Sequence, residues 1–295
     1  VISGASGLIG SALRRDLLSA GPEVVSLVRR PARSVDESSW DPAAGRIDHN
    51  VLGAAEVVVK LAGASIGDKR LDGSYAIVVQ SSRTDSTGTI TRALAEVEFS
   101  GVLLQGSAMG YYGEKGDDPF DESAPPGSTL LSDIVRAWEA SAQPALDAGI
   151  RTVFCRTGLV LADHGGFAQR LLPLIKMGLL RSLGSGRTFH SWIALADEVA
   201  AMRFLIDSQI SGPVNLIAPH SVRDYALIKA IADAARRPRL FPVPGLALKA
   251  VTGAAADDLL SSQNGRPGVL LDAGFSWAYP DVEDAALYVM GSPGR

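Results

Sequence analysis

A chain of 295 residues, 46% hydrophobic and 20% charged, has the composition of a soluble globular protein, with room for one large domain or a large one plus a small one. A net charge of −4 argues against nucleic acid as the main partner, and charges such as Glu56 and Lys60 interrupt every apolar run short of membrane-spanning length. The single cysteine, Cys155, excludes an internal disulfide and makes a reducing, cytoplasmic setting the default.

The first thirty residues read VISGASGLIGSALRRDLLSAGPEVVSLVRR. A short apolar run meets Gly4, Gly7 and Gly10, and Ile9, Leu13, Leu17 and Ala20 then recur at helical spacing up to Gly21. A strand follows over 23–28. Strand, glycine turn, helix and strand form the opening unit of a nucleotide-binding α/β fold. The glycines permit a tight turn, close approach to a pyrophosphate and close helix–strand packing, and the helix N-terminus offers unpaired N–H groups to the phosphates. The spacing is GxxGxxG rather than GxGxxG, which changes the subfamily but not the physics. A merely tight turn would use the same glycines; the flanking strands and helix favour the nucleotide reading. The chain opens inside a strand and without a methionine, which implies preceding residues, whether a few, a targeting segment or a domain.

The end of the second strand says more. Dinucleotide folds usually place Asp or Glu there to bind the ribose 2′-OH, whereas this chain has Val28-Arg29-Arg30-Pro31. A carboxylate repels a 2′-phosphate, while a guanidinium binds one through two parallel hydrogen bonds. The expected cofactor is therefore NADP(H), the alternative being two solvated arginines.

A polar connection with Trp40-Asp41-Pro42 leads to an apolar strand over 56–61, whose small following residues, Ala62 and Gly63, suit close approach to a ligand. The spacing predicts a helix over 75–94 in which Arg83 either reaches the cofactor or pairs with Asp85. A strand over 102–105 precedes Ser107-Ala108-Met109-Gly110-Tyr111-Tyr112-Gly113, a polar loop over 114–126, a helix over 130–147 and a strand over 150–156. This alternation implies a doubly wound parallel sheet, a Rossmann-type α/β domain over 1–163. Beyond it come a helix over 167–177, a glycine-rich loop over 178–187, a helix over 192–206, a strand over 213–217 and a helix over 222–235. Residues 192–218 return to the first domain. Residues 164–191 and 219–295 form a smaller, α-rich lobe over the sheet's ligand edge.

In order, GASGLIG, VRRP, WDP, KLAGASI, SSR, SAMGYYG, AWEA, RTGLVL, GSGR, WI and LLDAGFSWAYP make the whole chain similar to the epimerase-like branch of the extended short-chain dehydrogenase/reductase superfamily, labelled nucleoside-diphosphate sugar epimerases. The resemblance implies a Rossmann core binding NADP(H) beneath a C-terminal substrate lobe. It places Gly4, Ser6, Gly7, Leu8, Ile9 and Gly10 around the pyrophosphate, Val28 and Arg29 at the 2′-phosphate ribose, and Leu61, Ala62 and Gly63 on the adenosine side. Arg83 and Val160 match positions lining the cofactor. It further implies a small-molecule substrate such as a sugar nucleotide, and a homodimer through the helices at 75–94 and 130–147.

Three departures matter. The family's NLAG is KLAG here, putting Lys60 in place of an amide, and WIHIDD becomes WIALAD at 192–197. The helix expected to carry Tyr-x-x-x-Lys, the proton relay of these enzymes, reads LLSDIVRAWEAS and has neither residue. Ser107 remains, followed by Tyr111 and Tyr112, and one of these tyrosines serves as acid/base with help from Glu139 or a cofactor hydroxyl. Otherwise the tyrosines are lid packing, Ser107 a strand cap and Glu139 a loop anchor. Arg187, in GSGRTFHSW, suits an anionic substrate group, or is solvated. The scattered histidines predict no metal site. Two functions stay open: an NADP(H)-dependent oxidoreductase or epimerase, and a non-catalytic NADP(H)-binding sensor or partner-binding protein.

Overall fold

The computed structural model describes residues 1–67 and 69–291. Its first part runs β1 (Ile2–Ser3), α1 (Leu8–Ser19), β2 (Ser26–Val28), β3 (Glu37–Ser39), α2 (His49–Gly53), β4 (Val57–Lys60), α3 (Gly73–Glu96) and β5 (Val102–Ala108). After a 3-10 turn over Met109–Tyr111 come β6 (Gly116–Phe120), α4 (Leu130–Ala140), α5 (Gln143–Asp147), β7 (Arg151–Thr157) and β8 (Leu159–Leu161). The remainder is α6 (Gly166–Lys176), β9 (Leu180–Leu183), β10 (Phe189–His190), β11 (Trp192–Ala194), α7 (Leu195–Asp207), β12 (Gly212–Leu216), β13 (Val222–Arg223), α8 (Asp224–Ala234) and β14 (Phe241–Val243). The chain closes with α9 (Gly245–Thr252), α10 (Ala255–Leu259), β15 (Gln263–Gly265), α11 (Gly268–Asp272) and α12 (Val282–Val289).

Seven parallel strands make the central sheet in the order β12-β7-β5-β4-β1-β2-β3. The chain starts in the middle, winds outward through β2 and β3, then crosses back to β4 and winds the other way. Between β1 and β4 the direction reverses, and a crevice opens at the strands' carboxyl ends, where open α/β sheets bind ligands. Burial on both faces explains why β4 and β5 are nearly continuous apolar runs, with Val58, Val59, Leu103 and Leu104 in the core. Helix α4 buries Leu131, Ile134, Val135 and Trp138, a single stripe at helical spacing, and starts where the Thr129 hydroxyl accepts the Ser132 N–H. A second apolar core forms where α6, β9, α8 and α12 pack around Trp192. No helix among the described residues is long and apolar enough to cross a membrane.

Several elements differ from their expected bounds. Residues 192–194 are strand rather than helix, pairing with β8 in parallel register, and α7 begins only at Leu195. The helix expected over 130–147 is two, since α4 ends at Ser141 and α5 restarts with Pro144 in its first turn. The polar connection after Arg30 contains β3, in which only Ser38 is buried, so no apolar pattern marks it. The glycine-rich loop holds β9, paired with β14, and the expected helix at 222 opens as β13 against β10.

The glycine turn sets the height of α1 above the sheet. Gly4 adopts φ +76°, and a Cβ there would sit 2.8 Å from the Ala62 nitrogen on β4's extension. At Gly10 a Cβ would lie 2.2 Å from the Gly4 carbonyl oxygen. Gly10→Ala is therefore expected to destabilise the fold by about 2 kcal/mol or more through overpacking. Gly73→Ala, where an added Cβ meets nothing within 4 Å, should shift stability by less than about 1 kcal/mol. Urea denaturation of both variants checks this, and an unaltered Gly10→Ala midpoint would refute the close-contact account.

Candidate functional site

The crevice between β1 and β4 widens into an open cleft of about 1310 Å³, ample for a dinucleotide. Gly4, Ser6 and Gly7 form its floor with Leu61, Ala62 and Gly63; Val28 and Arg29 form one wall, and α3 supplies Ser81, Ser82 and Asp85 on another. Gly7 caps α1 without any side-chain hydrogen bond, so the helix presents unsatisfied N–H groups to the cleft. Leu8, Ile9 and Gly10 stand behind this floor as the first residues of α1, with Ile9 packed toward the core and Leu8 beneath Gly165.

The wall at β2 holds more charge than the sequence reading expected. Arg30 makes two hydrogen bonds to Glu37, at 2.7 and 2.6 Å, and Arg14 on α1 reaches Asp36 at 2.5 Å and the Ser26 hydroxyl at 3.2 Å. Hydrogen bonds from Arg30 and from the Arg33 backbone lower the Glu37 carboxyl to about 2, and the Ser34 hydroxyl together with Arg14 lowers that of Asp36. Arg29 has no hydrogen-bond or ion-pair partner among the described residues. Arg14, Asp36 and Glu37 were not singled out from sequence: Arg14 sits on a helix with no polar periodicity of note, and β3 hides in a polar run.

Arg83 lies under the cleft rather than in it. It is buried beneath Gly63 and donates to the carbonyls of Ala64 and Val79, not to Asp85. Burial lowers its pKa to about 10. Lys60 is fully buried beside it, donating to the Ala62 and Arg83 carbonyls at 2.8 and 3.3 Å, and desolvation, followed by the Arg83 charge, holds its ammonium well below the usual lysine range. Both cations lie over the Trp138 ring, at 4.8 and 5.0 Å from its centre.

At the carboxyl end of β5 the residues proposed for chemistry meet in a polar knot around Arg156 of β7, which is 4% exposed. Arg156 donates to both Glu139 oxygens at 2.9 Å and to the Tyr112 hydroxyl at 2.8 Å, and lies 3.5 Å from the centre of the Tyr111 ring. Burial lowers its pKa, but the Glu139 contacts overcome this and the net direction is upward. Ser107 donates to Glu139 Oε1 at 2.5 Å. The Tyr112 hydroxyl donates to Asn215 Oδ1 at 2.8 Å, and burial pushes its phenol up to about 12. Tyr111 is half-buried and keeps an exposed edge. Thus Ser107, Tyr111 and Tyr112 do come together, with Glu139 and Arg156 at their centre. Val160 and Arg187 lie apart from both groups. Val160 pairs with Ile193, and Arg187 is exposed near Asp117, its carbonyl accepting from Arg223.

The acid that ends WIALAD and the one that follows it are structural. Asp197 accepts the backbone N–H groups of Ala278 and Tyr279 at 2.7 and 2.9 Å, tying the tail to α7. Glu198 is fully buried against Cys155 and accepts only from the Thr157 hydroxyl, at 2.8 Å, leaving Oε2 without a partner. Burial raises its carboxyl to about 8. No group of three or more His, Cys, Asp or Glu residues suited to a metal ion occurs among the described residues.

Residues 1–217 match the NAD dependent epimerase/dehydratase family, and residues 243–287 match a domain of unknown function, DUF1731. The chain is 37% identical over 295 residues to epimerase family protein Mb2239 of Mycobacterium bovis, covering 99% of this chain and 98% of that one. Among solved structures it is similar to the human epimerase family protein SDR39U1, isoform 2, crystallised with NADPH (TM-score 0.88, 27% identity, 97% of both chains). It is also similar to the nucleoside-diphosphate sugar epimerase of Corynebacterium glutamicum (TM-score 0.82, 30% identity), covering 99% of this chain and 58% of that one.

The buried Glu198 predicts a pH-dependent stability. Its folded pKa of about 8 exceeds the ordinary 4.5, so the folded state holds a proton that the unfolded state releases between those values. Stability from this group is full below pH 4.5 and is lost as pH rises through 8, by on the order of 5 kcal/mol. Burial of Asp197 and Glu122 acts in the same direction. Melting temperatures at pH 6 and pH 8 should differ clearly in the natural chain and less in Glu198→Gln, which keeps the Thr157 contact. Equal slopes in the two would remove Glu198 as the cause.

Proposed function

This chain belongs to the NAD dependent epimerase/dehydratase family, and we propose that it is an NADP(H)-dependent oxidoreductase or epimerase acting on a small polar substrate such as a sugar nucleotide. The cofactor half of the reading rests on Arg29, a free guanidinium on the cleft wall at the end of β2, and is supported by the NADPH in the human relative. In this reading the N–H groups at Leu8–Gly10 hold the pyrophosphate, with Gly4, Ser6 and Gly7 leaving room for it. Val28 and Arg29 meet the 2′-phosphate ribose, and Leu61, Ala62 and Gly63 the adenosine side. Arg83 acts from beneath by bracing Gly63, and Val160, paired with Ile193, stands outside the cleft. Residues 1–163 and 192–218 are the nucleotide-holding part, and the rest is the substrate lobe.

A nicotinamide supplies or accepts a hydride, which requires a proton to move on the substrate oxygen in step. The observation that carries this half is the 2.5 Å hydrogen bond from Ser107 to Glu139. Ser107 orients the substrate hydroxyl, and Glu139 takes the proton that Ser107 relays. Tyr111, the half-exposed phenol, stands beside them. Tyr112 is set aside as an acid or base, because its hydroxyl is spent on Asn215 and Arg156 and its pKa is raised to about 12. The exposed guanidinium of Arg187 provides for an anionic substrate group.

A second reading has its own observation. Arg156 bonds both oxygens of Glu139, which stabilises the carboxylate and makes it a reluctant base, and α4 fills the place of the usual relay with buried apolar side chains. On that reading the protein holds NADP(H) without turnover, as a sensor or partner-binding module.

Fluorescence titration tests the cofactor assignment: Arg29→Ala should weaken NADPH about tenfold and leave NADH within about twofold. Unchanged NADPH affinity would refute it. NADPH oxidation and NADP-dependent epimerisation across a panel of sugar nucleotides test the chemistry. Turnover that falls about a hundredfold or more in Ser107→Ala supports the enzyme; tight cofactor binding with no turnover across the panel establishes the second reading.

A further inference from the structure

Three guanidinium groups line the cleft around β2, and they are not equivalent. Arg29 has no partner among the described residues. Arg30 is held at both terminal nitrogens by Glu37, which also accepts the Arg33 backbone N–H at 2.9 Å. Arg14 is held by Asp36 at one terminal nitrogen only, while its Nε rests on the Ser26 hydroxyl. The Asp36 side chain is 44% exposed against 17% for Glu37. The Glu37–Arg30 pair is a two-pronged clasp anchored to the backbone; the Asp36–Arg14 pair is a single contact facing water, of the kind that contributes little net stability.

We infer that Asp36 is an exchangeable counter-anion and that Arg14 is a second guanidinium for the ribose 2′-phosphate, released when the phosphate replaces the carboxylate. The inference rests on the NADP(H) reading and goes beyond it, since it assigns specificity to a helix residue and an acid outside the VRRP stretch. A phosphate monoester carries close to two negative charges at neutral pH and three acceptor oxygens, against one charge on Asp36, so it outcompetes an exposed carboxylate for a guanidinium, and the Ser34 hydroxyl continues to serve Asp36 once Arg14 has left. The Ser26 contact on Nε keeps the Arg14 head in the cleft, and the exchange then needs only rotation of its terminal nitrogens. Glu37 does not exchange: its three donors hold it in place, and it keeps Arg30 as a fixed part of the wall. In a cleft without phosphate, Asp36 offsets the mutual repulsion of Arg14 and Arg29. NADH has no 2′-phosphate to displace it and leaves the pair closed.

NADPH and NADH titrations at one ionic strength, on the natural chain, Asp36→Asn, Arg14→Ala and the double variant, test this. Asp36→Asn should tighten NADPH about threefold, by removing the competitor, and leave NADH unchanged; Arg14→Ala should weaken NADPH about fivefold. In the Arg14→Ala background the Asp36→Asn gain should vanish, a coupling that a general change in surface charge would not produce. A natural chain that prefers NADPH, with Asp36→Asn neutral, weakening, or equally tightening without Arg14, overturns the inference alone. Equal affinity of the natural chain for NADPH and NADH overturns the cofactor reading, and this inference with it. Melting curves without nucleotide establish that each variant is folded.

Discussion

A buried arginine with one buried carboxylate governs how this molecule is put together around its site. Arg156 stands in the second strand from one sheet edge, almost wholly excluded from water, and Glu139 on α4 is its counter-charge. Removing either partner would leave an uncompensated charge in a dry place, a defect that commonly costs several kcal/mol. Because the same guanidinium also meets the hydroxyl of Tyr112, the ring of Tyr111 and the Glu122 carbonyl, the loop after β5 takes its shape from it. The knot extends from Tyr112 to Asn215 on the edge strand, and from Asn215 to the Arg266 carbonyl in the tail. Sheet, helix, loop and lobe thus share one polar junction.

That junction bears directly on what chemistry is available. Helix α4 carries neither tyrosine nor lysine, and the cation that meets Glu139 and the Tyr112 hydroxyl is a guanidinium already committed to a carboxylate. Lys60 does not substitute for the missing lysine: its ammonium lies inside the fold, facing carbonyls and the Trp138 ring. The two buried cations over Trp138 brace the floor of the cleft from below, so the KLAG departure reads as a change in scaffolding.

The parts of the fold that repeat a simple physical pattern were legible in the chain. The glycine turn, the apolar runs of β4 and β5 and the periodic helices announce themselves, because burial on one or two faces leaves a mark at every position. Short strands left no such mark. β3 is three polar residues, β9 lies in a glycine-rich stretch, and β11 was absorbed into the helix that follows it. The cleft was legible where backbone approaches ligand and illegible where side chains from distant segments converge. The place of Arg29 on the cleft wall is legible because local order after β2 sets it. Arg14, Asp36 and Glu37 meet only through the β2–β3 pairing and the packing of α1 beside it, and the Glu139–Arg156 pair only through the packing of α4 on β5 and the pairing of β5 with β7. Tyr111 and Tyr112 are adjacent in the chain, yet only one is sealed in, a difference that no local pattern encodes.

The tail's hold on the sheet bears on the order in which the protein can be made. All seven central strands have been synthesised by Leu216, but polar groups on the edge strand and on the elements beside the sheet are completed only by later residues. Glu122 accepts from Val269, Asn215 donates to Arg266, Asp197 accepts from Ala278 and Tyr279, and β6 finds its partner in β15. While residues 263–279 are still inside the ribosome, the Asp197 carboxylate lacks its backbone donors and β6 is a strand without its partner. A nascent chain of this kind gains a further increment of order only once those residues emerge, and the sheet and the segment that follows it mature as one unit.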